Sequence, residues 1–263
     1  MTRYLIAAAV IAGLAAAAVL VERRPGPSVA AADAASTPAP VMAANPGAVP
    51  PPQAVASGAA EFLAGRQYIK VPKPTPPADS RTITVNEFFW YACPHCFRLE
   101  PLLADWRKTL PPDVQFVRTP CNLGLRNAQV HERAFYAAQQ LGIEDQVHPL
   151  LADALVQLGL PLDDVQSLDD FFVQKAHLQP GAFTAAFQGS ATDADVAQAN
   201  QLALDYGIAG VPEIVVGGEY RTDIGQPGIY DARLGEADLY RRMLDVTTRL
   251  VSLVRSERTG GGA

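Results

Sequence analysis

From residue 61 onward the apolar positions alternate between two rhythms. Gln67–Val71 and Thr82–Ala92 are dense in β-branched and aromatic residues, which predicts two strands. Phe97, Leu99, Leu102, Leu103 and Trp106 then recur at roughly helical spacing. Pro94 suits the first turn of that helix, where its missing N–H is not needed, and Pro111-Pro112 stop it near Leu110. Residues 114–119 (VQFVRT) restore the strand rhythm. Strand, helix and strand make a βαβ unit with a parallel pair.

Between about 126 and 190 the pattern is helical, broken at Gly142, Gly159-Leu160-Pro161 and Pro180-Gly181, which predicts about four short helices. A further helix is expected from Asp193 to Tyr206, ended by Gly207. Strands at 213–216 and 219–222 flank Gly217-Gly218, a two-residue turn whose residues need positive φ. A last amphipathic helix is expected from Glu236 to about Val254, with 256–263 as a flexible tail. The resulting fold class is α/β: a small mixed sheet with helices, interrupted by a helical subdomain.

The first 60 residues differ. Residues 4–21 form an unbroken apolar run after Arg3. Residues 1–30 are expected to be a signal peptide or a membrane anchor. Ser28-Val29-Ala30 suits cleavage after Ala30, the reading favoured here. The length of the run, at the lower limit for crossing a bilayer, and the following Glu22-Arg23-Arg24 argue for a retained anchor. Residues 31–60 are rich in Ala and Pro, too poor in apolar mass to offset their ordering entropy, and are expected to be a disordered linker.

The chain has 263 residues, a formal net charge of -6 and no Lys/Arg cluster, so a nucleic-acid partner is not expected. Three cysteines exclude a dense disulfide scaffold. Two of them, Cys93 and Cys96, enclose Pro94 and His95 where the strand meets the helix. Zinc normally takes four ligands, and no second CxxC or closely spaced His pair accompanies this one, so no metal is expected. At this spacing a disulfide is allowed. The loop it closes is too short to constrain the unfolded chain much, so a reversible bond explains the pair better than a staple.

Position then ranks the two sulfurs. A helix N-terminus offers unpaired N–H groups and a partial positive charge, which favour a thiolate at Cys93, with His95 as a further donor or cation. Cys96, one turn inside, is expected to be more buried and to act as the resolving thiol. A stabilised thiolate makes the disulfide form the better oxidant. The third cysteine, Cys121, is expected to be a small buried hydrophobe.

The segments EFFWYACPHCF and GVPEIVVGGEY together resemble the DsbA family of thiol:disulfide interchange proteins over about residues 62–255. The resemblance implies a thioredoxin-like fold with an inserted helical subdomain, within a domain spanning 61–255. It implies Cys93 as the solvent-facing nucleophile, Cys96 as the resolving thiol, and Pro94 and His95 as tuners of the thiolate. Val211 and Pro212 match the family's cis-proline loop, which faces the dithiol and binds substrate backbone. Glu87 matches a buried acid, a candidate proton relay. Arg118 stands where the family commonly has lysine as that acid's partner; an arginine does not readily give up its proton. The resemblance implies no cofactor beyond the redox-active Cys93–Cys96 disulfide. It implies reduced or unfolded exported proteins as substrates, a membrane quinone-linked reoxidase of the DsbB kind as partner, a monomer, and a periplasmic location. The sequence leaves two other functions open: a disulfide reductase or isomerase, and a thiol-dependent chaperone-like binding module.

Overall fold

The computed structural model describes residues 62–75 and 81–260. The expected leader (1–30) and the expected linker (31–60) lie outside the described residues.

Five strands form one sheet: β1 (Ile69–Lys70), β2 (Ile83–Phe89), β3 (Val114–Pro120), β4 (Glu213–Val216) and β5 (Tyr220–Thr222), in the order β1-β5-β4-β2-β3. β2 and β3 are parallel, as the βαβ reading requires, and the other pairings are antiparallel. β2 is shorter than its apolar run. After Phe89 the chain turns, and the Cys93 N–H donates to the Trp90 carbonyl at 3.0 Å. β1 keeps only two of the five residues expected.

The alternation along β2 sorts its side chains between two cores. Ile83 and Val85 pack with Ile214, Val216, Leu99 and Met243. Phe88 points the other way, to Val215, Tyr206 and Cys121. Between the halves of the sheet come α2 (Arg126–Gln140), α3 (Glu144–Val156), α4 (Val165–Ala176) and α5 (Ala182–Phe187), the four helices expected. Their core, built on Phe135, Val147, Leu151, Phe172 and Phe183, also takes in Phe89, Tyr91, Cys93 and Cys96. The dithiol therefore sits where the inserted subdomain meets the sheet.

α1 (Pro94–Arg107) ends three residues before Leu110, and it carries Pro101 in its interior. Pro101 has no N–H for the Phe97 carbonyl four residues earlier. The helix persists because Leu99 and Leu103, on either side of it, are fully buried. α6 (Ser190–Tyr206) begins three residues earlier than expected.

α7 (Glu236–Gly260) corrects the expectation of a flexible tail from 256: the helix continues through 260. The added turns are tied down from afar. Arg255 pairs with Asp113 at 2.8 Å, Arg258 donates to the Thr82 carbonyl at 2.8 Å, and the Tyr220 hydroxyl donates to Glu257 at 2.8 Å. Gly217 and Gly218 have φ of 66° and 71°, as the expected hairpin turn needs. A Cβ on Gly218 would meet the Thr75 carbonyl oxygen at 2.4 Å.

Candidate active site

Cys93 is the N-cap of α1, in extended conformation (φ -81°, ψ 115°), and Pro94 occupies the first turn. This geometry aims the end of the helix at the sulfur: the Cys96 N–H donates to Cys93 Sγ at 3.5 Å. The Cys93 thiol in turn faces the Val211 carbonyl at 3.6 Å, and the Val211–Pro212 peptide bond is cis. The hairpin half of the sheet and the start of α1 thus meet at one sulfur, from segments 118 residues apart.

The surroundings push the two thiols in opposite directions. Cys93 is lowered to about 6. The largest cause is the Cys96 thiol donating to it; the N–H groups of Cys96 and His95 and the charge of His95 follow, and burial opposes them. Cys96 is held well above the ordinary thiol range, first by burial and then by its bond to Cys93. Each cysteine residue is only 6% exposed, but burial weighs most on Cys96, as expected of the resolving thiol, whereas hydrogen bonds outweigh it at Cys93. One expectation needs correcting. The helix end and His95 do act on Cys93, but the neighbouring thiol acts more strongly.

The His95 side chain is 55% exposed and is engaged by α7. Its Nδ1 contacts Glu236, which also accepts from Arg98, and the Arg98 guanidinium lies 3.1 Å from the same nitrogen. The Tyr240 hydroxyl reaches the His95 carbonyl at 2.9 Å and Glu236 at 2.6 Å. Beside Val211 and Pro212 lies a cleft of about 380 Å³, bordered by His95, Glu213, Arg221 and Asp223. Glu213, buried and paired with Arg221, is raised to about 7, chiefly by burial.

Beneath the dithiol, Glu87 and Arg118 face each other in the β2–β3 register. Arg118 Nε lies 3.4 Å from Glu87 Oε2, without hydrogen-bond geometry. Arg118 is shared: it donates to Glu100 at 2.5 Å and approaches Glu144 at 3.7 Å. Glu87, 1% exposed, is raised to about 8, first by burial and then by Glu100, with Arg118 pulling the other way. The expected ion pair is therefore one edge of a larger cluster that includes Glu100, Glu144, Tyr91 and His148. Sequence reasoning gave Glu100, Glu144 and His148 no role at this site, although Glu100 follows Cys96 by one helical turn and His148 follows Glu144 by one.

Residues 84–230 match the family described as the DSBA-like thioredoxin domain. The chain is 34% identical over 185 residues to the thiol:disulfide interchange protein DsbA of Pseudomonas aeruginosa, covering 70% of this chain and 86% of that one. The chain belongs to the DsbA family. The DsbA of Azotobacter vinelandii is 35% identical over 187 residues, covering 71% of this chain and 86% of the relative. The crystal structure of Pseudomonas aeruginosa DsbA superposes with a TM-score of 0.63 at 31% identity, over 76% of this chain and 97% of that one. That of the Xylella fastidiosa oxidoreductase DsbA gives 0.65 at 28% identity, over 74% and 98%. The shared DsbA architecture is the thioredoxin-like sheet with its helical insertion, which agrees with the fold class read from the sequence.

Proposed function

We propose that this thiol:disulfide oxidoreductase works by donating a Cys93–Cys96 disulfide to reduced exported proteins. A substrate thiolate attacks the Cys93 sulfur. The electron pair of the S–S bond leaves on Cys96, which takes up a proton because its environment disfavours the thiolate. A second substrate thiolate then attacks the substrate sulfur of the mixed disulfide and expels Cys93 as a thiolate. Substrate leaves with a disulfide, and the protein holds Cys93 ionised and Cys96 protonated. Pro94 and His95 tune the thiolate by shaping the start of α1, and Val211 and Pro212 present backbone to an extended substrate along the adjoining cleft. Glu87, partnered by Arg118, serves as the proton relay below the thiols.

The observation that carries the direction of transfer is the convergence of the Cys96 thiol and two backbone N–H groups on Cys93, which lowers it to about 6. At pH 7 that shift makes the disulfide roughly tenfold more oxidising than an unperturbed pair, on the order of 30 mV. The test is oxidation of a reduced dithiol peptide, together with equilibration against glutathione. The wild type oxidises the peptide and Cys93→Ser does not. An inert wild type overturns the proposal, and a disulfide as hard to reduce as that of a reducing thioredoxin assigns the chain to reduction instead.

In this reading the protein acts as a monomer in the periplasm, and a quinone-linked membrane partner of the DsbB kind reoxidises it. Among the described residues no helix is long and apolar enough to cross a membrane. The segment proposed as signal or anchor lies outside them, and either form keeps the dithiol on the exported side.

A further inference from the structure

Of the titratable side chains between Cys93 and Cys96 inclusive, His95 is the exposed one. Its ring is held from α7. Glu236, the first residue of that helix, contacts His95 Nδ1. The same carboxylate accepts from Arg98 on both oxygens and from the Tyr240 hydroxyl at 2.6 Å. These donors, Arg98 first, hold Glu236 down at about 2, so it stays ionised. A carboxylate ion only accepts hydrogen bonds, so its contact with Nδ1 is favourable when Nδ1 carries a proton. Arg98 Nη2 also lies 3.1 Å from Nδ1, but that guanidinium already has both Glu236 oxygens and needs no further acceptor. A neutral ring with its proton on Nδ1 leaves Nε2 as the bare nitrogen. Among the described residues Nε2 has no hydrogen-bond partner, and His95 borders the cleft beside Val211 and Pro212.

We propose that His95 is the general base that ionises the incoming substrate thiol, and that Glu236 fixes the ring proton on Nδ1 so that Nε2 can accept. The inference rests on the disulfide-donor reading given above and adds to it the origin of the attacking thiolate. A free cysteine titrates near about 8.5, so close to neutral pH a reduced substrate arrives mostly as the unreactive thiol. A sulfur that approaches Cys93 along the cleft meets the ring that borders it. The charged and titratable groups around that ring are Glu236 and Tyr240 from α7, Arg98 from α1, Cys93 at the cap, and Glu213, Arg221 and Asp223 across the cleft. A carboxylate on one ring nitrogen is a general device for setting the tautomer and orientation of the other. This role is separate from the effect of His95 on Cys93: one concerns the sulfur that attacks, the other the sulfur that is attacked.

The step balances as follows. The substrate S–H proton passes to His95 Nε2 as the substrate sulfur bonds to Cys93 Sγ. The Cys93–Cys96 bond breaks, its electron pair leaves on Cys96, and Cys96 takes up a proton. The imidazolium then gives its proton to solvent, which a side chain 55% exposed reaches directly. His95 touches the reacting sulfur and is catalytic. Glu236 acts through the ring and is a positioning residue. A glutamine at 236 keeps the size of the side chain, but its amide donates to Nδ1, which moves the ring proton to Nε2 and removes the base.

The experiment mixes oxidised full-length protein with excess reduced glutathione between pH 7 and 8 and follows loss of the disulfide by acid quench and mass spectrometry. A parallel series uses 5-thio-2-nitrobenzoate, an aromatic thiol already ionised throughout that range. Unassisted attack follows the thiolate fraction of glutathione and rises about tenfold over the pH unit. Wild type should rise less than about threefold, because the base supplies the ionisation. Glu236→Gln and His95→Gln should each regain the tenfold slope and react at least about tenfold more slowly at pH 7, the low side of what a placed acid–base group contributes. With the aromatic thiolate Glu236→Gln should match wild type. A tenfold slope in wild type overturns the proposal, whether or not the variants fold. So does equal slowing of Glu236→Gln with both thiols, which assigns Glu236 a structural role. A wild type that reacts with neither thiol would instead overturn the disulfide-donor reading itself.

Discussion

At the scale of single residues, the cause of the Cys93 shift is open to test. Because the Cys96 thiol is the largest contributor, Cys96→Ala should raise the Cys93 titration more than His95→Leu does, as read by thiolate absorbance against pH. The reverse order would return the leading part to the histidine. Glu87 gives a second expectation. Its folded value, about 8, is above its ordinary one, so its contribution to stability is present below about pH 4.5 and is lost as pH rises through about 8. Glu87→Gln, which removes the cost of a buried charge, should therefore raise the unfolding temperature relative to wild type at pH 8 and lose that advantage near pH 4.5. A lower melting temperature at pH 8 would mean that Arg118 compensates Glu87 fully.

At the scale of elements, what could be read in advance follows from how local each cause is. The order of strands and helices rests on neighbouring residues. Pro94 and Gly217-Gly218 set their turns by their own backbone preferences, and both turns were legible. The end of α7 was not, because its last turns are fixed by Asp113, Thr82 and Tyr220, far away in sequence. Pro101 inside α1 is the opposite case, a local breaker overruled by buried leucines. The site divides in the same way. Cys93, Cys96 and His95 are adjacent, and Val211–Pro212 was reachable only through family resemblance. Glu236, 141 residues from His95, gave no signal beyond an ordinary helix start. Two substitutions test the elements. Gly218→Ala, with φ of 71° and the Thr75 oxygen at 2.4 Å, should cost about 1–3 kcal/mol in urea unfolding. Leu103→Ala, in the α1 core, should cost about 2–5 kcal/mol. Neutral outcomes would place the hairpin or the helix in looser packing than described.

At the scale of the whole molecule, the redox state and the fold are coupled. A thiolate stabilised in the folded protein stabilises the reduced protein over the oxidised one, which has no thiolate to stabilise. Cys93 falls from 9.0 to about 6, so this contribution is fully present above about pH 9 and is lost as pH falls through 6. Three units correspond to roughly 4 kcal/mol at most. Denaturant curves of the two forms should lie well apart at pH 8 and converge by pH 5. Curves equally spaced at both values would place the stabilisation elsewhere. Releasing the disulfide to a substrate is thus a step toward the more stable fold, which favours completion of the transfer.

The placement of Cys121 bears on how such a molecule would be handled. Its residue is 6% exposed, its thiol is raised by burial, and it packs among Phe88, Tyr206 and Val215 in a cluster separate from that of Cys93 and Cys96. Near pH 7 only one of the three sulfurs is ionised to any extent. A mild alkylating reagent should therefore mark the reduced native chain once, at Cys93, and a fluorophore could be installed there without first editing out the spare cysteine.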